Sequence, residues 1–71
     1  MYHVVVKDKE EVIAEALLEG LAEAVNFGAE EGEKTNLIVI YEALQDASGD
    51  IIHICKVLSA VILDVKPQVD T

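Results

Sequence analysis

Two residues of this chain invite a chemical reading first: His53 and Cys55, in the stretch Ile52-His53-Ile54-Cys55. On a strand, residues two apart share a face. An imidazole and a thiol so placed offer two metal ligands, or a nucleophile and its base. Nothing near them in sequence completes a site, and His3 is remote. The plain reading is a small apolar thiol beside a strand histidine. The sharper one is half of a site shared across an oligomer axis.

The other candidate clusters fit their chemistry less well. Gly28 and Gly32-Glu33-Lys34-Thr35 resemble a phosphate loop, but a Glu separates Gly32 from Lys34 and the segment follows a helical pattern rather than a strand. Asp46, Ser48 and Asp50 alternate like calcium ligands, yet the sixth and twelfth loop positions hold Ile51 and Val57 where Gly and Glu are needed. Local turn hydrogen bonds explain those three residues. Tyr41-Glu42 ends an apolar run, where an acid/base pair can sit, but one such pair in a chain of 14 acids is no signal.

The acids themselves are the stronger feature. Glu10, Glu11, Glu15, Glu19, Glu23, Glu30, Glu31 and Glu33 all lie in the first half. Such a face steers toward a basic partner, or simply keeps a small apolar protein soluble. We take Glu11, Glu15, Glu19 and Glu23 as the possible partner-binding face.

These residues must be positioned by a small domain. The 71 residues allow one domain, residues 1–71. Five Lys and Arg against 14 acids give a net charge of −9, which argues against direct nucleic-acid binding. The chain is 52% hydrophobic, too apolar for a disordered acidic tail. No segment approaches the ~20 apolar residues of a membrane helix. The start lacks the basic and apolar regions of a signal peptide, so a cytoplasmic protein is expected. One cysteine excludes an intrachain disulfide, and no Cys/His cluster suggests structural zinc. No cofactor is implied. Self-association is the remaining support for so small a core.

Tyr2 to Val6 is a β-branched run and reads as a strand. Asp8 and Glu11 have the spacing of a capping box. Behind them Ile13, Leu17, Gly20, Leu21, Ala24 and Gly28 recur at helical spacing, with glutamates every four residues opposite. Ala16, Gly20, Ala24 and Gly28 form a small-residue stripe that admits close packing, and Gly20 within a helix costs up to ~1 kcal/mol against Ala. Ala29 to Asn36 is a polar loop. Two β-rich runs then flank Gln45-Asp46-Ala47-Ser48-Gly49-Asp50, the pattern of a hairpin. Leu58 to Val65 extends the last strand or forms a short helix, and Pro67 ends either.

The predicted fold is α+β: strand 2–7, helix 9–27, strand 37–45, strand 50–57 and a short tail element, a β-α-β-β order with one long amphipathic helix on an antiparallel sheet. With one helix, the second sheet face would be exposed and apolar, which favours a homodimer or larger assembly. Ala16, Gly20, Ala24, His53 and Cys55 are the possible interface residues.

An all-α alternative exists. Tyr41-Glu42-Ala43-Leu44, a Gly-containing loop, and Ile54-Cys55-Lys56-Val57-Leu58-Ser59-Ala60-Val61-Ile62-Leu63 resemble the end of repressor-type helix-turn-helix proteins, including addiction-module antidotes. That resemblance implies a DNA-reading helix over Asn36-Leu37-Ile38-Val39-Ile40. Three functions follow: a non-enzymatic, homo-oligomeric binding module, a helix-turn-helix regulator, or an oligomeric enzyme or ligand carrier with an interface site near His53 and Cys55.

Overall fold

A computed structural model of the chain describes residues 1–32 and 36–61. Its elements run β1 (Tyr2–Asp8), β2 (Glu11–Leu18), α1 (Leu21–Glu31), β3 (Leu37–Gln45) and β4 (Ile51–Val61). The four strands form one antiparallel sheet in the order β2-β1-β3-β4. The class is α+β as expected, but the order is β-β-α-β-β and the helix is short, at 11 residues.

The difference arises at residues 9–18. Asp8 faces Glu11 across a two-residue hairpin loop, Lys9-Glu10, rather than capping a helix. Lys9 adopts φ 58, a left-handed conformation usual for Gly or Asn in such loops. The chain then runs back as β2, with Ala16 opposite Val4 and Glu15 opposite Val5. A central strand needs ladder partners on both sides, and β2 supplies the second set for β1. That requirement overrides the helical spacing of residues 11–18.

The helix begins only after Gly20, which caps it in an extended conformation. Glu23 in its first turn suits the helix dipole. The helix carries the chain from β2 across β1 to β3, so β2 and β3 run parallel with β1 between them. It packs mainly on β1 and β2.

The core lies under it. Val4, Ala24, Ile38 and Ile40 form the buried cluster, with Tyr2, Leu18, Phe27 and Leu58 packed around them. Two of the small residues singled out in the sequence make this packing possible. Ala24 is fully buried, and a Cβ on Gly28 would stand 2.8 Å from Ile38 Cγ2. The close approach is thus between helix and sheet of one chain. The small stripe itself is broken, because Ala16 lies on β2 and Gly20 outside the helix.

The β3–β4 hairpin agrees with the expected one. Strand β3 spans 37–45 as read, while β4 runs on through Leu58 to Val61. At the turn, Asp46 Oδ1 accepts the backbone N–H groups of Ser48 and Asp50, both at 2.9 Å. Gly49 takes φ 86, so the calcium-like alternation is turn chemistry. Residues 54–61 are strand, which excludes the helix-turn-helix architecture. The tail beyond 61 and Glu33-Lys34-Thr35 lie outside the described residues.

Gly28→Ala tests the helix–sheet contact. Overpacking against buried, β-branched Ile38 costs about 1–3 kcal/mol, and the gain in helix propensity returns at most ~1 kcal/mol. Thermal denaturation should show a midpoint lowered by several degrees. Gly20→Ala meets only the flexible Glu23 side chain, at 3.9 Å, and should leave it nearly unchanged.

Candidate functional site

Strand alternation sends Val4 and Val6 toward the helix and His3 and Val5 to the other face of the sheet. That second face is not the open apolar surface the sequence suggests. His3, Val5, Val39 and Ala43 are all buried at its centre. His3 lies in the middle of them, opposite Leu17 on β2 and Tyr41 on β3.

Both ring nitrogens of His3 are engaged. Nε2 stands 3.0 Å from Glu15 Oε2, and Nδ1 stands 2.8 Å from Nε2 of His53. The His53 ring in turn stacks on Tyr41, with centroids 3.8 Å apart and planes 3° from parallel. Four strands thus contribute one residue each: Glu15 from β2, His3 from β1, Tyr41 from β3 and His53 from β4.

The bonding pattern restricts the protons. A carboxylate only accepts, so His3 Nε2 carries the hydrogen it gives to Glu15. Neutral His3 then has a bare Nδ1, which accepts from His53 Nε2–H. If His3 is cationic, Nδ1–H donates to a bare His53 Nε2 instead. One proton fits between the facing nitrogens, and two do not. The row is a short carboxylate–imidazole–imidazole relay on an open sheet face, with His3 buried and His53 exposed.

Two bulges in β4 carry His53 along β3 from opposite Gln45 to opposite Ala43, within reach of Tyr41 and His3. Register shifts between Ile40 and Tyr41 and between Glu42 and Ala43 leave Val57 and Ile54 as the extra residues. The bulge at Ile54 separates His53 from Cys55. His53 pairs with Ala43 on the His3 side, whereas Cys55 pairs with Glu42, and its Sγ lies 3.6 Å from Glu42 Oε2. The shared-face expectation for His53 and Cys55 therefore fails, and with it the nucleophile–base pairing. A bulge reverses the side on which later residues emerge.

The acidic residues also separate. Glu11 and Glu15 lie on β2, Glu19 between β2 and α1, and Glu23 in the helix, so no single helical stripe exists. Glu15 is already the partner of His3. His3 is the site residue that the sequence reading misses. Only the β1–β3–β4 pairing, which spans 50 residues from His3 to His53, brings it into place.

No family model, curated protein or solved structure matches the chain.

The network gives a spectroscopic and a thermodynamic prediction. Nitrogen-15 NMR should show a hydrogen held on His3 Nε2, facing Glu15. His53→Ala removes the Nδ1 partner of a buried ring, a loss of about 1 kcal/mol, read as a lowered midpoint of denaturation. Cys55→Ala should change neither signal.

Proposed function

We propose that the chain is a self-associating binding module, its partner a second copy docked along the β3–β4 hairpin. The observation that carries this reading is the exposure of β4. It is one of the two edge strands of the sheet, and ten of its eleven residues are exposed. Among them are Ile51, Ile52, Ile54, Val57 and Val61, with Leu44 beside them on β3. Leu44 and Ile52 pair on the helix side of the sheet, Ile51 and Val61 emerge on the His3 side, and Ile54 and Val57 are the bulged residues, so exposed apolar side chains flank this edge on both faces.

Size supports the same reading. Among the described residues the largest fully buried side chains are Ile40, Val4 and Val6, and burying each contributes about 1.5–3 kcal/mol. A core of this size gains from a partner. The bulges and Lys56 guard the β4 backbone ladder against open-ended pairing. Side-chain contact in a closed, symmetric dimer satisfies both the exposure and the guard.

Light scattering at micromolar concentration should give twice the 7.7 kDa chain mass. Raising salt should strengthen association by screening repulsion between copies that each carry −9. The double variant Ile52→Lys/Ile54→Lys, at two exposed positions, should be monomeric with an unchanged circular dichroism spectrum. A monomeric parent chain at high salt overturns the proposal.

A further inference from the structure

We propose that the His3–His53 contact is a pH-operated latch. It ties edge strand β4 to central strand β1 while the pair holds no more than one acid proton, and a second proton releases His53. β1 and β4 share no backbone ladder, because β3 stands between them. The bond from His3 Nδ1 to His53 Nε2, at 2.8 Å, passes over β3 and joins them through side chains. The device needs one copy of the chain, so it stands apart from self-association.

The closed and open states differ in how many protons they hold. In the neutral pair one hydrogen lies between the facing nitrogens. A first added proton fits: it takes His53 Nδ1, and the shared hydrogen moves to His3 Nδ1. Cationic His3 then bridges the Glu15 carboxylate, 3.0 Å from its Nε2, and a bare His53 Nε2. Such charge-assisted bonds are the stronger kind. A second added proton puts hydrogens on both facing nitrogens, where 2.8 Å leaves room for one. Rings that stand apart each take a proton, in the range of about pH 5–8 where imidazoles charge. The open state thus binds one proton more than the closed state. The latch is therefore closed at higher pH, and its opening constant rises about tenfold per unit as pH falls through the second protonation.

His53 is the part that moves. His3 is 8% exposed, sits in the central strand and is held by Glu15 in either state. His53 is exposed on an edge strand and rests flat on the Tyr41 ring. Three other charged groups belong to this face, all positive. Lys56 on β4 is opposite Tyr41, Lys7 on β1 follows His3 on the same strand alternation, and the Met1 amine bonds the carbonyl of Ala43, the residue opposite His53. None offers a second imidazolium a counter-charge. Helix α1 packs on the opposite face, against Val4 and Ile40. Opening uncovers Tyr41 and places a free cation on the sheet.

Proton NMR on the full chain, from about pH 8 to about pH 5, reads the latch. At the upper end the His53 and Tyr41 rings should show mutual ring-current shifts and strong cross-relaxation. Both should fade toward the lower end, while the strand amide shifts and the His3–Glu15 bond persist. In His53→Gln, whose amide donates to His3 Nδ1 but takes no proton, the Tyr41 signals should stay constant over the same range. A stack intact at about pH 5 would overturn the proposal, as would Tyr41 signals that move equally in His53→Gln. So would loss of the whole sheet over that range, since the latch is one side chain. The cross-relaxation is read on the parent chain, so it decides the matter even if the variant misfolds.

Discussion

The structure depends on β1 being a central strand. It is laddered on both sides, by β2 through the first hairpin and by β3 after the helix. From this single constraint the rest follows. The chain must leave β2, cross β1 and return on its far side, and α1 is the crossing. Because α1 lies over β1, the Val4 and Val6 side chains are the ones it buries. The residues between them are left to the opposite face.

Two unlike environments are therefore built from alternate residues of one strand. The helix side is apolar and tightly packed, its closest approach set by Gly28 against Ile38. The other side holds buried valines beside a polar and aromatic row from four strands. His3 belongs to this second environment, and its burial is tolerable because both nitrogens have partners. A mostly buried imidazole lacking one of them would carry an uncompensated desolvation cost. Sheet pairing thus makes the row, and the row makes a histidine acceptable at the centre of the sheet.

Much of the second half was legible. The strand 37–45, the turn and Gly49 were all readable because the turn chemistry is local: Asp46 bonds residues two and four positions on. The first half misled for an equally local reason. Asp8 and Glu11 mimic a capping box, and glutamates at 11, 15, 19 and 23 mimic a helix face. The hairpin that exists turns on Lys9, a residue with no turn signature. The site was less legible still. His53 was named, but with Cys55 as its companion, and the bulge at Ile54 cancels that pairing. A bulge is set by how two strands fit, and a distant histidine by which strands are neighbours. Neither is written in the spacing of nearby residues.

The central position of β1 also sets an order of events. During synthesis the β1–β2 hairpin has both halves early, and its loop is only two residues long. The other side of β1 must wait for residues 37–42, made after the helix. Closing that long loop carries most of the entropic cost of the topology. Until it closes, β1 presents an unpaired row of backbone groups beside Val4, Val5 and Val6. The earliest of the four strands thus waits through the whole of α1 for its second partner, and the nascent chain is open to wrong pairing at β1 until β3 is made.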